Sequence, residues 1–270
     1  MPKSFHIVVC AGIVPDPLQT LELATGPSGP GVKNEMLLPA ALDPWAASAL
    51  YEAAHLAANC PGSRVWLVSL GPKAKLQQLM MTVAQKARFE LVPIDGPIGG
   101  FTDAGATAAM LSDAIDTISG LDKTQLLLFG GWESATRGAG VTLQLIGEQL
   151  GIVDQFQGVD RIDVREDGSF EVLERIEGGK HQVSLCAGAP AVLGWATGNL
   201  PEPRNNPQVG MANMRTILPA LQKAKSAALE SAGLRYISVN LPSQQRATRV
   251  VKDMSPDEIA QELVAWIGEE

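Results

Sequence analysis

The sequence has 270 residues, of which 46% are hydrophobic, and its formal net charge at pH 7 is -8. This length and apolar content are sufficient for one sizeable buried core, as in a globular protein. An acidic chain without a lysine-rich or arginine-rich run is repelled by phosphate backbones and by anionic lipid surfaces. Nucleic acid is therefore not an expected partner.

The N-terminal residues and the cysteines favour a cytoplasmic protein. The apolar run that ends at Cys10 is too short for a signal peptide, and no run of about 18 apolar residues follows that would cross a membrane. Cys10, Cys60 and Cys186 are widely separated and include no CxxC pair. This pattern is typical of reduced thiols rather than of a disulfide framework.

The first half of the chain alternates predicted strands with predicted helices. The clearest helix start is Asp43-Pro44, because an acidic N-cap precedes a proline at the first position of an alanine-rich segment that reaches Ala58. The short apolar runs predict buried strands. The predicted strands are His6 to Cys10, Arg64 to Leu70, Phe89 to Ile94 and Gln125 to Phe129, and the further helices are Ala74 to Lys86, Ala104 to Ile118 and Val141 to Leu150. This order predicts an α/β fold with a doubly wound, mostly parallel sheet.

Two regions depart from this alternation and predict antiparallel pairs. Before the first helix, the stretch GPSGPG cannot be helical, so that Leu21 to Leu23 and Met36 to Leu38 predict a small hairpin with a loose tip. From about Val159, apolar runs around two glycine-containing turns predict a small antiparallel meander. The meander strands are Arg161 to Val164, Ser169 to Ile176 and His181 to Cys186, and Ala191 to Trp195 then returns to the main sheet.

The region after Pro201 is loop-rich and contains two predicted helices. They span about Arg215 to Ser231 and Pro256 to Ile267. Between them, Leu241 to Val250 has low hydrophobicity and predicts an arm that reaches another surface.

One segment predicts an anion site from its residues alone. A predicted strand ends at Gly130-Gly131, and a Gly/Thr-rich loop leads to a helix that begins near Gly140. Unpaired N–H groups and the positive dipole end at such a helix start favour a phosphate, with Thr136 and Thr142 as hydroxyl donors and Arg137 as the charge. The spacing is not the dinucleotide fingerprint, and the alternative is a plain strand-to-helix turn.

The residues predict neither a catalytic constellation nor a metal site. His6, His55 and His181 have no metal-ligand spacing, and packed or solvated histidines are the expected state. The chain also lacks a nucleophile signature. Trp132 begins the loop of the anion site, where it is placed to cover an adenine or a neighbouring subunit, although core packing is the expected role of the tryptophans.

Several short motifs follow one another in a fixed order along nearly the whole chain. They are Asp43-Pro44-Trp45, Val68-Ser69-Leu70-Gly71, Glu174 to Gly179, Pro190-Ala191-Val192, Glu202-Pro203-Arg204 and, more loosely, Pro242 to Thr248. In this order they resemble the beta subunit of electron transfer flavoproteins, with its Asn-Pro-aromatic helix start, Val-Ser-X-Gly strand end, Gly-Gly turn, Pro-Ala-Val strand, Glu-Pro-Arg and C-terminal arm. Each string alone would be weak.

The resemblance implies a fold like that of the adenine-nucleotide alpha hydrolases and an electron carrier rather than an enzyme. Such a chain binds an alpha subunit that holds most of the FAD, and itself binds AMP or another adenine nucleotide as a structural ligand. The pair accepts electrons from a flavoprotein dehydrogenase and passes them onward, commonly to a membrane quinone oxidoreductase. It implies an α/β nucleotide-binding domain at residues 1–235, with the meander at about 159–187 and a recognition loop at about 200–216, and a C-terminal arm and helix at 236–270 that pack on the partner subunit.

The resemblance also implies which positions contact the nucleotide. They are Cys10, Asp43, Leu70, Ser134, Arg137, Gly138, Gly140, Val141 and Thr142. The loop departs from the family's pattern, because family members carry an Asp-rich loop that ends in Asn-Gln-Thr and only Thr142 matches it. From the residues themselves, Asp43 is already explained as a helix N-cap and Cys10 as a small buried residue.

Family members present an apolar anchor to the dehydrogenase after Glu-Pro-Arg, and two positions here match it. Alignment of Met211 with the family's anchor requires a short insertion, and alignment of Leu218 requires a longer one. We predict Met211, because an exposed methionine is an adaptable anchor for an apolar pocket. The alternative is that Met211 and Met214 begin the next helix and face the core.

Two other functions are compatible with this sequence. One is a stand-alone adenine-nucleotide-binding protein of the same superfamily, although the arm, the meander and Glu-Pro-Arg argue against a solitary domain. The other is a beta subunit of the electron-bifurcating type that binds its own FAD. The chain lacks the Asp-Gly-Asp-Thr-Ala-Gln loop of that type, which argues against it.

Overall fold

The structure is a computed structural model that describes residues 4–26, 29–97, 102–136, 140–228, 233, 236–240 and 250–268. The chain divides into two compact units, residues 1–239 and 240–270. The division predicted from the sequence lies after residue 235. The predicted arm at 241–249 lies outside the described residues.

The first unit is built on a large sheet in which strands and helices alternate. Its strands are β1 (His6–Cys10), β2 (Ile13–Pro15), β3 (Leu23–Gly26), β4 (Gly29–Val32), β5 (Ala40–Leu42), β6 (Arg64–Gly71), β7 (Glu90–Asp95), β8 (Leu126–Gly131), β9 (Gln155–Val164), β10 (Phe170–Ile176), β11 (Lys180–Cys186), β12 (Ala191–Trp195) and β13 (Lys225–Ser226). Its helices are α1 (Pro44–Asn59), α2 (Lys73–Val83), α3 (Ala104–Asp116), α4 (Thr142–Gln149) and α5 (Pro207–Gln222). Within the described residues, nine strands form the sheet in the order β11-β10-β9-β12-β8-β1-β6-β7-β13.

Helices cover both faces of this sheet, which confirms the doubly wound α/β fold. Strand β1 shows the two layers, because Ile7 and Val9 belong to the cluster under α1, α2 and α5, whereas Val8 and Cys10 belong to the cluster under α3 and α4. Alternating side chains of a strand point to opposite faces, so a strand covered on both sides is apolar throughout.

The strand order creates a topological switch point between β1 and β8. From β1 the chain moves to β6 and β7 through α1 and α2 on one face, and it returns through α3 on the other face to β8. The connections after β1 and β8 therefore diverge and leave a crevice above the carboxyl ends of these strands. Open α/β sheets bind ligands in such a crevice.

The predicted meander is part of the main sheet. Strand β9 pairs antiparallel with β10, as predicted, and also parallel with β12 along Gln155 to Val159. The predicted start near Val159 was therefore too late. Strand β9 therefore joins the meander, through β10, to the parallel core, through β12. The pairing with β12 connects residues that are distant in sequence.

The predicted hairpin was misplaced. Strands β3 and β4 pair within residues 23–32, so part of the GPSGPG stretch is extended, and the residues from Glu35 to Leu37 form a 3-10 turn. Both strands of a two-stranded ribbon are edge strands, which tolerate Pro30 because a proline without an N–H removes no central ladder bond. A second ribbon, β2 with β5, was not predicted.

Helix α5 spans Pro207–Gln222, so it begins eight residues before its predicted start at Arg215 and ends before its predicted end at Ser231. The side chain of Asn206 accepts hydrogen bonds from the backbone N–H groups of Gln208 and Val209, so Asn206-Pro207 is an N-cap of the same kind as Asp43-Pro44. The predicted recognition loop at about 200–216 is therefore partly helical.

The second unit contains α6 (Pro256–Gly268), which confirms the predicted last helix. Ser255 and Glu258 form a reciprocal capping box, in which the Glu258 carboxylate accepts the Ser255 backbone N–H at 2.8 Å. Among the helices of the described residues, none is long and apolar enough to cross a membrane.

Candidate functional site

A cavity lies at the switch point, above the carboxyl ends of β1, β6 and β8. Its volume is about 160 Å³, and its floor includes Cys10, Leu70 and Gly130. Typical sites for a whole ligand measure about 300–1,000 Å³. The cavity therefore suits one part of a nucleotide, such as the base or the ribose, with the remainder towards solvent.

Most of the nucleotide positions implied by the resemblance line this one cavity. These lining residues are Cys10, Asp43, Leu70, Ser134, Gly140 and Thr142. Val141 is the N-cap residue of α4, with its side chain 46% exposed. Arg137 and Gly138 lie outside the described residues.

Two glycines allow the backbone to pass close to its neighbours beside the cavity. A Cβ on Gly131 would lie 2.7 Å from the Cβ of Trp45 and 3.2 Å from the backbone nitrogen of Ala46. A Cβ on Gly140 would overlap the carbonyl oxygen of Trp132. The glycines of this segment are therefore required by packing, and any larger residue must displace backbone.

The N-terminus of α4 opens at the cavity without a side-chain cap. Helices α1, α3 and α5 are capped by Asp43, Asp103 and Asn206, whereas Val141 at the start of α4 makes no such bond, and no described residue supplies one. Thr142, the first residue of α4, lines the cavity. The positive end of the helix dipole, with N–H groups that no described side chain accepts, favours an anion there.

Asp43 is a buried carboxylate at the wall of the cavity. It is 3% exposed, caps α1, and also accepts the backbone N–H of Ala135 at 2.9 Å. Burial raises the pKa of the Asp43 carboxyl, although hydrogen bonds from Ala135, Trp45, Ser134 and Ala46 act in the opposite direction.

The sequence did not indicate a second carboxylate, Glu35, that lines the cavity. Burial raises the pKa of the Glu35 carboxyl, and the neighbouring Lys75 lowers it by a smaller amount. The Lys75 side chain is itself buried and donates to the carbonyl oxygens of Glu35 at 2.7 Å and of Leu38 at 3.3 Å. Lys75 therefore fastens the residues around the 3-10 turn to α2, a contact that no local sequence pattern indicates.

The charged residues of the described cavity wall are all acidic. They are Glu35, Asp43 and Glu133. A ligand phosphate is repelled by these carboxylates and is placed more favourably at the uncapped start of α4. Hydroxyl and amine donors of a ligand are suited to the carboxylates of Glu35 and Glu133.

Cys10 contributes to packing and not to thiolate chemistry. Burial raises the pKa of its thiol to about 12, so the thiolate is not populated near neutral pH. Trp132 also has a packing role, because its ring lies 3.3 Å from the position of a Cβ on Gly158 and it is not part of the cavity wall.

The histidines take part in local contacts at separate places. His6 accepts the backbone N–H of Asp122 at 2.7 Å, His55 contacts Asn59, and His181 pairs with Asp160 at 3.0 Å. Within the described residues, no cluster of His, Cys, Asp and Glu has the geometry of a metal site.

Both candidate anchors, Met211 and Leu218, lie on one face of α5. They border an apolar groove of about 540 Å³ that α5 forms with Met81 and Gln85. Their exposed fractions are 64% for Met211 and 40% for Leu218, and Met81 is 61% exposed. Met211 therefore does not face the core, and residues seven positions apart on a helix share a face.

The segment Glu202-Pro203-Arg204, which precedes α5, is held in place by a residue at the end of α2. Lys86, just after α2, pairs with Glu202 at 2.8 Å and donates to the carbonyl oxygen of Pro203 at 3.0 Å. Asn213 of α5 donates to the carbonyl oxygens of Ala84 and Ala87. The end of α2 and the start of α5 are thereby held together.

The chain matches no protein-family model, and a comparison with curated proteins found no significant match.

Proposed function

We propose that this chain binds an adenine nucleotide structurally and acts as the beta subunit of an electron transfer flavoprotein. The observation that supports nucleotide binding best is the cavity at the switch point, which the uncapped N-terminus of α4 adjoins. One part of the nucleoside, the base or the ribose, occupies the cavity, and the phosphate lies at the start of α4. AMP is the preferred ligand, because its single phosphate places the least negative charge near Glu35 and Glu133.

The electron-carrying role rests on the ordered motifs of the sequence, and the structure adds a surface suited to it. An alpha subunit holds most of the FAD, and this chain contributes part of the wall of the flavin pocket. The exposed methionines around the α5 groove are suited to docking a flavoprotein dehydrogenase, since methionine adapts to varied apolar surfaces. A membrane quinone oxidoreductase is the proposed electron acceptor.

A binding titration tests the nucleotide part of the proposal. The full chain is purified, stripped of small molecules, and titrated with AMP, ATP and FAD by calorimetry. We expect AMP to bind more tightly than ATP and to raise the melting temperature by mass action. FAD binding at one equivalent would favour the bifurcating type, and ATP binding tighter than AMP would favour a stand-alone nucleotide-binding protein.

Co-expression tests the flavoprotein part. With an alpha subunit, the chain should yield a yellow heterodimer, whereas the chain alone should be colourless. A chain that stays monomeric in the presence of alpha subunits, yet still binds AMP, would leave only the nucleotide-binding proposal standing.

A further inference from the structure

Asp43 connects two segments that lie far apart in sequence. One carboxylate oxygen accepts the backbone N–H of Trp45 at 3.2 Å, within the first turn of α1. The other accepts the backbone N–H of Ala135 at 2.9 Å, in the segment between β8 and α4. Ser134 and the Ala46 backbone N–H also act to lower the pKa of this carboxyl, against the larger effect of burial.

These donors engage both oxygens of the carboxylate. Each oxygen of Asp43 accepts one backbone N–H, and the residue is only 3% exposed. A ligand in the cavity therefore meets a buried carboxylate whose two oxygens already have protein partners. Its effect on a ligand has to pass through the groups it holds.

The segment that Asp43 holds forms one wall of the cavity. Glu133, Ser134 and Thr136 line the cavity, and the hydroxyls of Ser134 and Thr136 lie 2.8 Å apart. The end of β8 is also pressed against α1, since a Cβ on Gly131 would meet Trp45 and Ala46. The carboxylate thus fixes residues 133–136 against α1 at the point where they border the cavity.

We propose that Asp43 is a positioning residue, which holds residues 133–136 in the conformation that receives the ligand phosphate and does not touch the ligand. This inference rests on the proposed binding of an adenine nucleotide. It assigns Asp43 a different role from the direct nucleotide contact implied by the family resemblance. The carboxylate acts on the phosphate end of the ligand, because the segment that it holds carries Thr136, whose hydroxyl is a donor suited to a phosphate at the cavity wall.

Two substitutions separate this role from helix capping. Asparagine and serine cap helices about as well as aspartate, so Asp43→Asn and Asp43→Ser keep the start of α1. Both substitutions remove the acceptor of the Ala135 N–H. Asparagine places an N–H donor opposite this N–H, and the serine side chain is too short to reach it. Asn206→Ala is the matched control, because it removes the cap of α5 away from the cavity.

The first measurement needs no ligand. Hydrogen exchange of the Ala135 amide should accelerate at least about tenfold in Asp43→Asn, because an N–H loses its charged acceptor, and should be unchanged in Asn206→Ala. Equal exchange of this amide in the wild type and in both Asp43 variants would overturn the positioning role, whether or not the chain binds a nucleotide.

The second measurement compares AMP with adenosine by calorimetry. Asp43→Asn should weaken AMP binding about tenfold and adenosine binding less than about twofold. An equal loss for both ligands would show that Asp43 contacts the nucleoside, and no loss for AMP would also overturn the inference. If the wild type binds neither ligand, the proposed function fails, and the exchange result alone decides the positioning role.

Discussion

Cys10 and Gly130 are paired across the parallel strands β1 and β8, at the carboxyl end of each. A Cβ on Gly130 would lie 3.2 Å from the carbonyl oxygen of Cys10 and 2.9 Å from the side chain of Leu143. The cavity opens above this pair because the connections that follow the two strands turn to opposite faces of the sheet.

Gly140→Ala should weaken AMP binding and lower stability, because a Cβ there overlaps the carbonyl oxygen of Trp132. Overpacking of this kind typically costs about 1–3 kcal/mol. Urea unfolding gives the stability and calorimetry gives the affinity. Gly31→Ala is the control, since nothing lies within 4 Å of its Cβ position. A Gly140→Ala protein with unchanged stability and AMP affinity would show that this close approach is not required.

Met211→Ala and Leu218→Ala should both slow reduction of the assembled heterodimer by its dehydrogenase. Truncation of an interface anchor costs about 2 kcal/mol or more of binding, and both side chains border the same groove. Flavin content and melting temperature should stay unchanged, because both side chains are well exposed. Val153→Ala, at a side chain 91% exposed elsewhere, is the control. Normal reduction rates in both variants would exclude the groove as the docking site.

Cys10 should resist alkylation by iodoacetamide at pH 8 in the folded chain, because burial raises the pKa of its thiol to about 12. Mass spectrometry of peptides from folded and urea-unfolded samples measures the modification. Fast labelling of Cys10 in the folded state would contradict the burial of its thiol.

The unfolding free energy should carry a pH dependence that Asp43→Asn removes. Burial raises the pKa of the Asp43 carboxyl above its unfolded value of about 3.8, so the folded chain binds more protons between the two values. The contribution of this group to stability therefore falls as pH rises through that window. Urea titrations of the wild type and of Asp43→Asn from pH 3 to pH 7 give the unfolding free energy of each protein. The difference between the two free energies measures the contribution of Asp43 at each pH. A difference that increases with pH would mean that hydrogen bonds outweigh burial at Asp43.

The sequence predicted the parallel core well, because that part of the fold is encoded locally. Asp43-Pro44 marks the start of α1, and β1 and β12 have their predicted bounds. The start of α5 was missed although Asn206-Pro207 carries the same signal. The joining of the meander to β12 was missed because pairing between distant strands leaves no local pattern.

Only part of the candidate site was predicted, because the rest depends on contacts between distant residues. The resemblance selected positions at strand ends such as Cys10 and Leu70, and parallel topology brings strand ends together. Glu35 and Lys75 were not predicted, because they meet only through the packing of the 3-10 turn on α2. The hydrogen bond from the Ala135 N–H to Asp43 likewise depends on tertiary structure.

The most direct test of the central claim is the identity and amount of the small molecules released from the purified heterodimer. The complex is denatured, and the released compounds are identified by absorbance and mass spectrometry, with the chain purified alone as the comparison. We predict one FAD and one AMP per heterodimer, and AMP without flavin from the chain alone. Release of flavin without any adenine mononucleotide from the complex, or one FAD per chain from the isolated protein, would contradict the account.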